Sequence, residues 1–425
     1  MARQGLTTNI GLRRWFFVQV IIQELILIAG RVVLHQNRTT VVVLLDVMLV
    51  LNLLGLILLA PNEETLANRH WFKRFLYRFN HYGQVFVQTV TVSLVLMVLV
   101  VICVKRLHVN ANGAAIVVFI MSLLVYIPVG VFAYGRIESL VGRVVVLFSV
   151  GFEVIVAAPE IAVMAFEKSL APVVKDLATS GFVGAFSFVI ITGFAMKVWG
   201  FRLPRFGFSR TAQWWIIVLL ALFCVGYVIF NSFDAGTSFG TLWKFDFHMK
   251  SPTFKMMLNG VEPGIVEEWL LRFATLSLMM RAFEFSRHQF GWSVAVTSIL
   301  FGLFHLPNAL QGQSWSATFE QALSAASIGC LLAALYLYTR ALWWPMLFHF
   351  SVDSFAFMSS GTQTMGKPGM FDWWMTVILA VIFIAITIFL LTGERGRNAK
   401  RNFPEFTGNG LFFGGSVSRQ TFPTR

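Results

Sequence analysis

The chain has 425 residues, of which 57% are hydrophobic, 15% aromatic and 12% charged, with a mean hydropathy of +0.73. A soluble globular protein carries about 25% charged residues, so this composition excludes a soluble enzyme, a disordered chain and a nucleic-acid-binding module, none of which could cover its apolar surface. The excess of 33 Lys and Arg over 20 Asp and Glu is read as charge retained in cytoplasmic loops and drawn to anionic headgroups, with no nucleic-acid partner.

A helix needs about 20 apolar residues to cross the hydrocarbon core. The opening, MARQGLTTNIGLRR, is polar and basic and lacks the form of a cleavable signal, so a first span near 15–34 is expected to be retained. Glu24 and Arg31 interrupt it, on one helical face, as if pointing together into a bundle. Spans follow near 41–60, 84–104, 114–134, 144–165, 181–200 and 214–233. Residues 70–79, HWFKRFLYRF, alternate basic and aromatic side chains and read as an interfacial amphipathic helix at the cytoplasmic surface. Glu153 and Glu160 flank Pro159, a pattern that could mark a broken helix. The C-terminal half adds runs near 262–283, 290–310, 319–340, 342–360 and 371–392, of which the first and fourth carry ionisable residues. The expected fold class is all-α, a polytopic transmembrane helix bundle of about twelve spans. The tail from 393 onward is basic, then rich in Gly, Ser and Thr, and reads as flexible. Cys103, Cys224 and Cys330 lie within apolar runs and read as packing residues. With both termini placed in the cytoplasm, most Lys and Arg fall in cytoplasmic segments.

Ionisable residues inside spans cost a few kcal/mol each, so each needs a reason. The stretch EPGIVEEWLLRFATL puts Glu267 and Glu268 at the entrance of a span, and Glu268 and Arg272 are spaced i,i+4 for an intrahelical ion pair. Glu267 is rotated away and left without that partner. His305 lies near the end of its span, one turn after Phe301, and His349 and Asp353 are spaced i,i+4 on another. Singly, either histidine is more simply a packed core residue. Jointly, alternating helix directions bring Glu267, His305, His349 and Asp353 to one level in the outer half of the bilayer, where such convergence lines a water-filled cavity. A carboxylate and an imidazole around one water suit hydrolysis. The same four side chains also make a divalent-metal donor set, for zinc as an example. No HExxH is present, which excludes a classical zincin site.

EExxxR (Glu267, Glu268, Arg272), FxxxH (Phe301, His305) and HxxxN/D (His349, Asp353), in that order, resemble the motifs of the CPBP intramembrane proteases. That family includes Rce1-type CAAX prenyl endopeptidases and bacterial proteins linked to bacteriocin maturation and self-immunity. The resemblance covers about 262–360. It implies an intramembrane endopeptidase in which Glu267 and His305 activate water, His349 and Asp353 serve the oxyanion, and Glu268, Arg272 and Phe301 shape the site. Asp stands where Asn is usual in the last motif, and an ionised Asp cannot donate to an oxyanion. It is either protonated or orients His349. The resemblance also implies a membrane-embedded or lipidated peptide substrate and a prokaryotic plasma-membrane location. No cofactor is expected on the metal-free reading, which is preferred. The expected organisation is a membrane extension over 1–213, a protease core over 214–392 and a cytoplasmic tail over 393–425. Two other readings are a non-catalytic immunity or scaffold protein and a proton-coupled secondary transporter. The transporter lacks support from a second copy of the motifs in 1–213.

Overall fold

The computed structural model describes residues 2–33, 39–59, 70–148 and 150–406. Among them the chain is helical, with no strand beyond two isolated bridges. The N-terminal half holds α1 (Ile10–Val33), α2 (Thr39–Leu53), α3 (Trp71–Lys105), α4 (Ala111–Phe132), α5 (Leu140–Phe148), α6 (Val150–Val163), α7 (Pro172–Thr179) and α8 (Phe182–Val198). The C-terminal half begins with α9 (Trp214–Phe233), followed by two π-helical segments, Pro263–Glu267 and Trp269–Thr275, that run into α10 (Leu276–Ala282). Then come α11 (Gln289–Phe304), α12 (Trp315–Thr339), α13 (Trp343–Ser360), α14 (Met370–Leu391) and α15 (Gly393–Phe406).

Local sequence sets the boundaries that matter for the site. Ser314 caps α12 by accepting from the Ala317 amide at 3.3 Å. The same helix stops where Arg340 turns left-handed at φ +64°. Gly361, at φ +73°, ends α13 in the conformation that glycine adopts most readily.

Among the described residues, eight helices are long and apolar enough to cross a membrane, and a ninth arises if α7 and α8, bent by 43°, form one span. The bundle class holds, and the count of about twelve is not confirmed. The run at 144–165 is shared between α5 and α6, that at 262–283 begins as π-helix, and α13 carries His349, Asp353 and several serines that lower its hydropathy. Pro159 does not break its helix, since α6 runs through it. The side chain of Glu153 lies outside the described residues.

Three expectations change in detail. Residues 71–79 form no separate surface helix. They are the first turns of the 35-residue α3, which at 1.5 Å per residue is about 52 Å long and overreaches a core of about 30 Å. The tail is not wholly irregular, because 393–406 continues as α15, while 407–425 lie outside the described residues. Glu24 and Arg31 do not act together. Arg31 pairs at the rim with Asp46 at 2.9 Å, whereas Glu24 is buried and accepts from Asn52 Nδ2 at 2.8 Å. Asn52 in turn accepts from Gln88 at 2.9 Å, and Gln88 donates to Gln84 at 3.0 Å. This side-chain chain ties α1, α2 and α3 together where no water is available to satisfy polar groups.

Packing is closest where glycine removes a side chain. A Cβ at Gly130 of α4 would meet the Ile191 carbonyl of α8 at 2.5 Å, and one at Gly184 of α8 would strike the Val156 backbone of α6. Through these contacts α4, α6 and α8 form a tight block, and the other side of α8 faces the π-helical segments.

Candidate active site

The site is built where the π-helical segments meet α13. Pro263 opens the first segment, at a position where its missing N–H goes unused. The widened winding that follows is rare and short-lived in helices and occurs mostly at functional sites. Here it is held against α13 by two glycines. A Cβ on Gly264 would lie 2.7 Å from Phe350 Cα, and one on Gly260 would collide with Ser354 Oγ. Ser354 also donates to the Met257 carbonyl at 2.9 Å. The two elements therefore touch backbone to backbone, and the carboxylates of the π-helix reach the imidazole of α13 directly.

His349 is the meeting point. Its Nδ1 is 2.9 Å from Glu268 Oε1. Its Nε2 is 3.4 Å from Asp353 Oδ2 and 3.9 Å from Glu267 Oε2. Three carboxylates thus surround one ring. Glu268 also pairs with Arg272, Nε to Oε2 at 3.1 Å, with both side chains essentially fully buried. The contact is an ion pair lying off the direction of a hydrogen bond. The guanidinium sits 4.3 Å above the Phe301 ring, a cation–π contact in a desolvated setting. Phe301 also meets both imidazoles, with centroid distances of 5.1 Å to His305 and 5.7 Å to His349. His305 stands at the C-terminal end of α11, its amide bonded to the Gly302 carbonyl at 3.1 Å.

All seven residues singled out from the sequence therefore gather around His349 and Phe301. The i,i+4 pairs Glu268–Arg272 and His349–Asp353 form as their spacing suggests. What spacing alone misses is the bond between Glu268 and His349, 81 positions apart. Glu268 orients the imidazole as well as pairing with the arginine. Glu267 keeps Oε2 buried and without a hydrogen-bond partner.

Residues 249–355 match the family of type II CAAX prenyl endopeptidases, Rce1-like. The chain carries an Rce1-like segment, and all seven site residues lie inside it. The match supports intramembrane endopeptidase activity in general and, with the apolar helices, places the chain in a lipid bilayer. No curated protein and no solved structure matches the chain.

A metal at this site would need three or more suitable side chains in reach of one ion. Among the described residues, no three His, Cys, Asp or Glu side chains are so arranged. As they stand, Glu267, His305, His349 and Asp353 do not meet that requirement for zinc.

Two neighbours of the Rce1-like segment escaped the sequence reading. Trp269 donates from Nε1 to Thr192 Oγ1 of α8 at 2.7 Å. Thr376 of α14 donates to the buried Glu320 of α12. Neither pair has a short-range spacing signal, although an acidic residue in an apolar run such as Glu320 always asks for a partner.

Proposed function

We propose that the chain is an endopeptidase that hydrolyses a peptide bond in a membrane-embedded or lipidated peptide, at the site around His349. The observation that carries this reading is the approach of Glu268, Asp353 and Glu267 to one imidazole at 2.9, 3.4 and 3.9 Å. Glu267, with its free carboxylate oxygen, and His305 share the activation of a water. Glu267 accepts the proton as the hydroxide adds to the scissile carbonyl carbon. His349, held by Glu268 at Nδ1 and flanked by Asp353, presents an imidazolium Nε2–H to the oxyanion. The proton then passes to the leaving amine, and the products are a carboxylate and a free amine. Before substrate binds, Asp353 accepts from Nε2–H at 3.4 Å and so orients His349, and the oxyanion takes over that donor as it forms.

His305 leads into the loop 306–314, whose Gln313 accepts from the Met365 amide in the loop after α13 at 3.2 Å, so both loops lie at one end of the bundle. With both termini in the cytoplasm of a prokaryotic plasma membrane, this is the outer side, which suits a membrane or exported peptide better than a cytosolic prenyl-protein.

The test uses full-length protein in proteoliposomes and a quenched farnesylated peptide reporter. Glu267→Ala and His305→Ala are expected to abolish cleavage, by at least about 100-fold, while the protein still accumulates in the membrane. 1,10-Phenanthroline is expected to leave the wild-type rate unchanged. Equal cleavage in all three proteins sinks the assignment. Inhibition by the chelator with recovery on added zinc replaces the glutamate mechanism with a metal-dependent one.

A further inference from the structure

The Rce1-like segment begins at residue 249, yet one of the firmest contacts of its carboxylate-bearing helix is made outside it. Trp269, the residue immediately after Glu268, donates its indole N–H to Thr192 Oγ1 at 2.7 Å. Thr192 is fully buried, and its own hydroxyl donates to the Phe188 carbonyl at 2.7 Å. The hydroxyl thus accepts from one helix and donates to the other. Gly193, next in α8, lies alongside the indole, where a Cβ would stand at ordinary contact distance, 3.4 Å from Trp269 Cζ2. The Phe273 ring backs the indole at 4.7 Å between centroids.

A π-helix has poor intrinsic stability and keeps its winding only when its surroundings impose it. Here the imposed contacts lie on both sides of the carboxylates. Gly264 presses on Phe350 of α13 before them, and Trp269 is tied to Thr192 of α8 after them. The Gly264 packing, the Glu268–His349 bond and the Arg272–Phe301 contact come from the Rce1-like segment itself, whereas the Thr192 contact is supplied from outside it. The α8 anchor is in turn fixed by Gly130 and Gly184, which bring α4 and α6 onto its backbone.

We infer that Thr192 is a positioning residue: through Trp269 it fixes the register of the π-helix and hence the distance of Glu267 from His349, so that residues 1–213 supply part of the site's geometry. This rests on the endopeptidase reading above for its kinetic consequence, but the structural consequence stands without it. An isosteric Thr192→Val change leaves the indole N–H buried without an acceptor and frees the second π-turn. A misplacement of about 1 Å at a reacting group costs up to about 100-fold in rate.

The experiment compares wild type, Thr192→Val, Thr192→Ser, Trp269→Phe and Glu267→Ala as full-length proteins in proteoliposomes, using the farnesylated peptide reporter. Hydrogen–deuterium exchange over 263–275 and thermal midpoints are recorded in parallel. Thr192→Val and Trp269→Phe are expected to lower kcat about tenfold with KM within about twofold, and to speed exchange in 263–275. Thr192→Ser restores both readings. Wild-type kcat in Thr192→Val and Trp269→Phe overturns the inference, as does a loss that tracks a general fall in thermal midpoint or is not rescued by serine. If wild type and Glu267→Ala cleave alike, the endopeptidase reading has failed. Exchange over 263–275 then decides the positioning role alone: faster in valine than in serine sustains it, and no difference ends it.

Discussion

Glu267 and Glu268 are neighbours in the chain, both buried, with different partners. Glu268 lies between Arg272 and His349, whereas Glu267 approaches only His349 Nε2, at 3.9 Å. A buried ion pair contributes little net stability over an apolar pair, but losing one partner leaves an uncompensated charge that costs about 3–5 kcal/mol. Glu268→Gln and Arg272→Met, made singly, are expected to lower the thermal midpoint strongly. The E268Q/R272M double variant should recover much of that loss, because neither charge is stranded. Cleavage should stay low in the two variants that carry Glu268→Gln, since His349 there loses its charged partner at Nδ1. Additive destabilisation in the double variant would show that the two side chains do not act as a pair. The Glu268–Arg272 pair is legible in sequence because i,i+4 places both groups on one face of the helix. The Glu268–His349 bond is not, because it depends on how two distant helices dock.

At the scale of elements, the approach of the π-helical segments to α13 sets the distances from the carboxylates to His349. Gly264 is a backbone contact with little slack, with Phe350 Cα 2.7 Å from where a Cβ would stand. Gly264→Ala is expected to push the two elements apart, costing about 1–3 kcal/mol by overpacking. It should reduce kcat more than it lowers the yield of folded protein. An unaltered rate in that variant would mean that the docking is looser than the geometry implies. The same elements explain which spans were readable. Long uninterrupted runs such as α3, α4, α9 and α14 announce themselves by hydropathy. The π-helical segments and α13 do not, because carrying polar chemistry and bending around it removes the uniform apolar signal. Nor does periodicity reveal that residues 71–79 simply prolong α3, since an interfacial helix and the overhang of a long one share the same pattern of basic and aromatic residues.

At the scale of the whole molecule, the loops 306–314 and 361–369 lie at one end of the bundle, where the Met365 amide donates to Gln313, and the loop 199–213 lies at the other, where Trp343 donates to the Phe206 carbonyl. A cysteine at Thr364, an exposed loop position, is therefore expected to react with a membrane-impermeant maleimide in intact cells. One at Phe206, which is 87% exposed, should react only after the membrane is permeabilised. The reverse result would turn the bundle over and direct the site to the cytosol. Such orientation follows from the parity of the passes, which composition cannot fix when some are assembled from broken pieces. The N-terminal half matched no motif in the sequence, yet α8 packs on the π-helical segments and α1–α3 share a buried amide chain.

The Phe301 ring has a consequence for how hydrolysis coexists with a buried charge pair. Arg272 lies 4.3 Å over the ring with 1% of its side-chain surface accessible, and both imidazoles meet the same ring. Glu268 bridges these groups, one oxygen on Arg272 and the other on His349. A single aromatic face thus shelters the guanidinium from solvent while bordering the imidazoles, so the charge that anchors the helix and the rings beside it share one wall.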